Sequence, residues 1–227
     1  MTIEEYFGEW SRVADLKEAH SIMKRLADSK VKVCPTLADI FKAIRLCPIS
    51  RLRVVILGCD PYSNMVEGRP VATGLAFANP PGTLEENYSP SLSILRESVI
   101  DYTIPHRRII FDPSLEKWEE QGVLMLNSAL SCEAGREGSH LQLWKPFIMS
   151  LLTILSRQVP GIVYVLMGTQ AQSLEPYIDK RFNHVIRIRH PTEYARTGTR
   201  MPSDIWRQAN KILIGQNGYG IEWYYEY

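Results

Sequence analysis

Apolar residues along this chain fall into two kinds of pattern. In the amino-terminal third they are spaced for helices. Over residues 16–29, Leu16, Ala19, Ile22, Met23 and Leu26 recur at steps of three and four, which puts them on one helical face. Thr36 is placed to cap a second helix carrying Leu37, Ile40, Phe41 and Ile44, which must stop before Pro48. Beyond that point the pattern changes to short apolar runs at residues 52–57, 123–126, 162–167 and 184–188. The first three are nearly continuous in Val, Ile, Leu and Met, as expected of strands covered on both faces. Helical spacing separates them at residues 92–102, 144–156 and 169–178. A last helix over 203–214 carries Ile205, Trp206, Ala209, Ile212 and Leu213. Strands alternating with helices predict a parallel sheet. The expected fold is α/β: a three-layer αβα domain around a central four-stranded parallel sheet, spanning residues 1–227, with a helical segment at about 1–47.

Composition narrows the class. The chain has 227 residues, 45% of them hydrophobic and 22% charged, enough to build a core without staples. Lys and Arg number 26 against 25 Asp and Glu, so a polybasic binder is excluded and any nucleic-acid contact must come from a local patch. The four cysteines, Cys34, Cys47, Cys59 and Cys132, form no C-x-x-C pair, which leaves zinc and iron–sulfur readings without support. No apolar run approaches the roughly 20 residues of a membrane span, and the opening residues are acidic without an apolar leader. A soluble intracellular protein is expected, in the cytoplasm or nucleus.

In an open parallel sheet, ligands bind beyond the carboxyl ends of the strands. The residues following the four runs are Gly58-Cys59-Asp60-Pro61-Tyr62-Ser63, Asn127-Ser128, Gly168-Thr169-Gln170 and His190-Pro191-Thr192. A carboxylate, an amide, a hydroxyl and an imidazole therefore share one rim. Taken singly, Asp60 is a turn former before Pro61, Asn127 a cap and His190 a loop end. Their coincidence at successive strand ends favours a site. Phe77, among small residues at Gly74-Leu75-Ala76-Phe77-Ala78-Asn79, is either a core ring or a stacking platform. Ser91 precedes a helical stretch and is either a cap or a phosphate contact. Arg187, Arg189, Arg196 and Arg200, with Tyr194 among them, form the basic concentration in an otherwise neutral chain, and are either a solvated loop or a footprint for a phosphate backbone.

These motifs, in order and spacing, resemble the family 1 uracil-DNA glycosylases. The similarity runs from Gly58-Cys59-Asp60-Pro61-Tyr62 through Gly74-Leu75-Ala76-Phe77, Pro90-Ser91-Leu92 and Leu124-Met125-Leu126-Asn127. It continues through Gly168-Thr169-Gln170-Ala171-Gln172 and His190-Pro191-Thr192 to Ile221-Glu222-Trp223. The resemblance implies hydrolysis of the bond between uracil and deoxyribose without a cofactor or metal. Asp60 would face the sugar and orient water, and His190 and the backbone N–H of Cys59 would donate to uracil O2. Asn127 would read the uracil edge, Tyr62 would exclude the thymine methyl and Phe77 would stack. Ser91, Thr169 and Thr192 would grip phosphates, Arg196 would add a DNA contact, and Tyr194 would fill the gap left by the flipped base. The implied partner is uracil-containing DNA, single- or double-stranded, with a protein inhibitor as a further partner, no membrane, and a monomeric enzyme.

Four positions depart from the family pattern: Cys59 for Gln, Ser63 for His, Tyr194 for Leu, and Ala195 for a hydroxyl residue. They mark a divergent member, of a kind that a virus or phage would carry into a host cell. They also motivate an alternative, a glycosylase-fold DNA-binding module with weak or no catalysis, serving in a replication assembly or as a uracil sensor. Asp60 argues against branches of the superfamily with Asn in the first motif. The lack of a G-x-G-x-x-G or Walker loop argues against a general nucleotide binder.

Overall fold

The computed structural model describes residues 3–102 and 109–226; residues 1, 2, 103–108 and 227 lie outside the described residues. The amino-terminal part holds α1 (Ile3–Phe7), α2 (Leu16–Asp28), β1 (Val33–Cys34) and α3 (Lys42–Leu46). The first sheet strand, β2 (Val54–Gly58), leads to a hairpin of β3 (Met65–Val66) and β4 (Arg69–Pro70), then to α4 (Pro90–Tyr102). Next come β5 (Ile109–Ile110), α5 (Glu116–Glu120), β6 (Val123–Asn127), β7 (Cys132–Glu133) and α6 (Leu141–Gln158). The chain closes with β8 (Val163–Met167), α7 (Thr169–Gln172), β9 (His184–Ile188), α8 (Pro191–Thr197), α9 (Asp204–Asn217) and β10 (Tyr225–Glu226).

The central sheet is four-stranded in the order β6-β2-β8-β9, parallel throughout, with helices on both faces. Every residue of β2, β6 and β8 is buried, which is why these strands read as unbroken apolar runs. The edge strand β9 instead exposes His184 and Arg187 while burying Ile186 and Ile188. Register aligns Gly58 with Asn127 and Met167 with Ile188, so the strand ends form one rim.

The amino-terminal segment docks through Trp10, whose indole N–H donates to the Cys47 carbonyl at 2.8 Å. Phe7, Phe41, Trp144 and Phe147 pack edge to face there. A second aromatic group, Trp118, Trp206 and Trp223, packs ring against ring where α5, α9 and the carboxyl-terminal segment meet.

Two expected helices are interrupted. The one after Thr36 is a 3-10 turn, Leu37–Asp39, followed by α3. The Thr36 hydroxyl donates to the Asp39 carboxylate at 2.7 Å instead of capping a backbone N–H, yet Ile40, Phe41 and Ile44 still reach the core. The stretch 169–178 breaks into α7 and a 3-10 turn, Glu175–Tyr177. Pro176 lacks the N–H that a continuing helix would need.

Candidate active site

The rim opens into a cavity of about 330 Å³ lined by the segments that follow β2, β8 and β9, by Met167 at the end of β8 and by the start of α4. Asp60 and His190 both face it, as do Cys59, Tyr62, Phe77, Ser91, Thr169 and Thr192. Eight of the sequence-predicted residues are therefore in one place.

Asp60 follows β2 on a loop tied down from the side. The Ser128 and Ala129 N–H groups donate to the Gly58 and Cys59 carbonyls at 3.0 Å each. The N–H of Gly138, 78 residues away, donates to Asp60 Oδ2 at 2.6 Å. That contact leaves one carboxylate oxygen for a ligand while fixing the other. Burial pushes the Cys59 thiol up to about 12, with the neighbouring Asp60 carboxylate as the next cause. The thiol is thus uncharged at neutral pH and is no nucleophile.

His190 caps α8. Its Nδ1 lies 2.8 Å from Thr192 Oγ1 and accepts from the Thr192 N–H at 3.4 Å, with Pro191 at the first helical position. Nδ1 is the acceptor, so the neutral ring carries its proton on Nε2. Burial holds the imidazole below its ordinary value, against the opposing pull of the Glu193 and Asp60 carboxylates. A neutral N–H donor at neutral pH results. Gly168 makes room for it: at φ +90° a Cβ there would come within 2.9 Å of His190 Cβ.

Phe77 lies 5.7 Å from His190, ring to ring, at 49°. Its backbone is left-handed, φ +66°, a conformation costing about 1–3 kcal/mol for a residue with a Cβ. The Tyr62 hydroxyl holds it there by donating to the Phe77 carbonyl at 2.8 Å, as does the Ala76 N–H on the Met125 carbonyl at 3.0 Å. Burial raises the Tyr62 phenol above its ordinary value, so it remains a donor.

Asn127 does not line the main cavity. It opens on a narrow adjoining crevice with Pro61, Leu75 and Leu130. A Cβ on Gly58 would fall 2.5 Å from Asn127 Oδ1 and 2.9 Å from Phe77 Cζ, so the amide and the ring flank that glycine. Oδ1 is buried and has no hydrogen-bond partner. A buried acceptor that no protein donor satisfies is free to take a donor from a ligand.

Tyr194 and Arg196 are not at the cavity. The Tyr194 ring, expected as a gap-filling wedge, is 3% exposed and lies under the Arg189 guanidinium at 4.3 Å. Pro191 and Tyr194 are three residues apart on α8, and that spacing turns both inward. A ring in this position must leave the core before it can occupy a base stack. Arg196 stands exposed on the last turn of α8. Of the expected basic footprint, Arg187 is paired with Glu175 and Arg200 with Asp101.

Sequence reasoning missed Glu137 and Glu193, which also line the cavity, and the Gly138 N–H on Asp60; Gln170, named at the end of the third run without a role, lines it too. It also missed the work of Asn79. That fully buried amide accepts from the Ser89 N–H and donates to the Ser89 hydroxyl, both at 2.8 Å, setting the entry of α4 and hence Ser91. A polar residue ending an apolar run was its signal. Among the described residues, no group of three or more His, Cys, Asp or Glu is placed to hold a metal ion.

Comparison with known proteins converges on one family. The model of the uracil DNA glycosylase superfamily matches residues 44–214, which include every strand of the central sheet. The chain belongs to that superfamily. The uracil-DNA glycosylase of Pectobacterium carotovorum is 35% identical over 193 residues, covering 84% of this chain and 81% of that relative. The Sodalis glossinidius uracil-DNA glycosylase is 33% identical over 209 residues, covering 91% and 88%. Among solved structures, a mimivirus UNG variant in complex with UGI superposes with a TM-score of 0.79 at 22% identity, covering 95% of this chain and 88% of that one. The UNG of Nitratifractor salsuginis gives 0.67 at 18%, covering 97% and 96%. These last two likenesses are of fold. No helix among the described residues is long and apolar enough to cross a membrane.

Proposed function

We propose that the chain hydrolyses the N-glycosidic bond of deoxyuridine in DNA, releasing uracil and leaving an abasic site. The observation that carries this reading is that the Asp60 carboxylate and the neutral His190 imidazole open into one cavity. As the bond from C1′ to uracil N1 breaks, the sugar becomes cationic and the base anionic. Asp60 faces the first charge. At an effective dielectric of about 20, unit charges 4 Å apart interact by roughly 4 kcal/mol. The water that bonds to C1′ passes its proton to the carboxylate side. His190 Nε2–H and the Cys59 backbone N–H donate to uracil O2, a type of contact worth roughly 2.7–4 kcal/mol in comparable sites.

The orphan Asn127 Oδ1 supports its role as acceptor for uracil N3–H. Cytosine has no proton at that nitrogen and would leave the buried oxygen unpaired. Tyr62, clamped to the Phe77 carbonyl, is the wall facing C5, and Phe77 supplies the stacking face. Ser91, Thr169 and Thr192 ring the mouth as phosphate contacts. Arg196 adds an outer contact. No Lys or Arg is among the residues lining the cavity, while Glu137 and Glu193 are. Strand binding therefore rests on these hydroxyls, on backbone N–H groups and on cations outside the cavity. A protein of the UGI kind is proposed as a partner of this face, on the likeness to the mimivirus complex.

The test is base release from matched oligonucleotides bearing U, T or C at one position, with EDTA present. Free uracil alone is expected from single and double strands. Tight binding to uracil-DNA with no abasic product would instead favour a binding module.

A further inference from the structure

Cys34 and Cys132 take no part in the chemistry above, yet they meet directly beneath it. β1 and β7 form an antiparallel ribbon in which Cys34 is the residue opposite Cys132. Opposite residues on such a ribbon share a face, with Cα atoms about 4.5–5.5 Å apart. A disulfide spans roughly 4.4–6.8 Å. Both side chains are fully buried free thiols. With Ala72 they make a small apolar cluster apart from the main core, against which Tyr62, Met65 and Ala134 pack. Cys132 Sγ donates to the Pro61 carbonyl at 3.4 Å, and the single S–H of Cys34 has two acceptors at 3.6 Å, the Ser63 carbonyl and Met65 Sδ. The loop that carries Asp60 and Tyr62 therefore rests on two S–H donors from one ribbon. The segment leaving that ribbon grips the same loop again, through Gly135 N–H on the Ser63 carbonyl and Gly138 N–H on Asp60.

We propose that Cys34 and Cys132 are a disulfide-forming pair, whose oxidation withdraws both donors from the Asp60 loop and slows base release; the effect on activity rests on the function proposed above, the pairing chemistry does not. The oxidant is a small-molecule disulfide of the glutathione type. One cysteine, having lost its proton to water, attacks a sulfur of the oxidant and expels the other sulfur as a thiolate. The second cysteine, likewise deprotonated, attacks the protein sulfur of the mixed disulfide and expels the remaining thiolate. One S–S bond breaks and one forms, two electrons pass to the oxidant, and its two halves leave as thiols carrying the two protons. Burial raises both cysteines above their ordinary value, so exchange is slow in the closed fold. It proceeds through opening of a ribbon only two residues long on each side.

The full-length protein is equilibrated in mixtures of oxidised and reduced glutathione, alkylated at intervals and digested without reductant. The expected result is a peptide pair joined through Cys34 and Cys132, with a whole-chain mass lower by two hydrogens. Uracil release should fall about tenfold in step with the link and return with dithiothreitol. Cys34→Ser, compared with itself before and after the oxidant, should form no link and show no change in rate. The proposal is overturned if the most oxidising mixture leaves both thiols alkylatable, if it yields only glutathione adducts, or if linked protein releases uracil at the reduced rate. A link that forms in a protein releasing no uracil when reduced upholds the pairing and sinks the proposed function instead.

Discussion

Two buried asparagines at opposite ends of the central sheet's strands, Asn183 and Asn127, are treated in opposite ways. Asn183, just before β9 at the amino ends of the strands, is fully satisfied. Its Oδ1 accepts from the Ile162 N–H at 3.0 Å, and its Nδ2 donates to the Ser156 and Asp179 carbonyls at 2.6 and 2.8 Å. Asn127, the last residue of β6 at the carboxyl ends, is equally buried, yet its Oδ1 has no partner. The contrast extends beyond the amides. The amino end carries the larger groove, about 1010 Å³, but its polar groups mostly serve the protein itself. There the Arg53 guanidinium donates to the Tyr219 and Gly220 carbonyls and stacks on the Tyr219 ring. Asn210 likewise closes two hydrogen bonds on Ile221 and a third on the Tyr102 hydroxyl. Size does not mark the site, and a missing partner alone does not either, since Arg53 Nε, Glu119 Oε2, Tyr164 OH and Trp223 Nε1 are also buried without one. Asn127 differs in ending a strand beside the cavity that Asp60 and His190 share.

The sharpest way to break this comparison is Asp60→Asn. Removing the charge forfeits roughly 4 kcal/mol of transition-state stabilisation, so uracil release should fall about 10³-fold. The amide oxygen can still accept from Gly138, so fold and DNA binding should survive. Single-turnover release and a binding titration on uracil-DNA separate the two effects. Retained activity would remove Asp60 from the mechanism.

Next in size is the paired test of the asparagines. Asn183→Ala strands the buried Ile162 N–H and should cost at least about 1–3 kcal/mol of unfolding free energy. Its rate per folded molecule should be unchanged. Asn127→Ala removes an oxygen that bonds to nothing in the protein and should leave stability nearly intact. Its uracil release should drop about 10²-fold, the loss of roughly one transition-state hydrogen bond. Denaturant melts and initial rates on both variants decide it. Equal destabilisation by the two substitutions would mean that Asn127 is structural after all.

Most of the architecture was legible because the covered strands are pure apolar runs and the helices between them are amphipathic. The edge strand at residues 184–188 has the bounds its sequence predicts. The rim was legible for the same reason, since Asp60, Asn127, Thr169 and His190 each lie at the end of a strand or within two residues of it. What escaped were contacts between segments far apart in sequence. Nothing local in Gly135-Arg136-Glu137-Gly138 indicates that its backbone folds over a carboxylate 78 residues upstream. The ribbon of β1 and β7 is too short to carry a periodic signal. The burial of Tyr194 was not legible either, because the helical phase of α8, which turns the ring into the core, is not visible in a motif comparison.

The smallest effect expected at the rim is a pH slope, and it tests whether burial governs His190. The folded imidazole is held below the ordinary histidine value. In the pH interval between the folded and unfolded values, the unfolded chain binds a proton that the folded chain refuses. Stability must therefore fall as pH drops below about 6.5 and level off once the folded ring also protonates. His140 is lowered by burial too and contributes with the same sign, so the wild-type slope alone is not diagnostic. His190→Asn provides the reference: asparagine keeps a capping acceptor for the Thr192 N–H but does not titrate. Between about pH 7 and 5 the melting temperature of the wild type should decline more steeply than that of the variant. Over about pH 6.5 to 8 the wild-type rate of uracil release should gain no step from His190, because the donor is neutral throughout. Parallel melting curves for the two proteins would show that the ring is not desolvated at the rim, and a rate rising as His190 protonates would replace the neutral donor with an imidazolium.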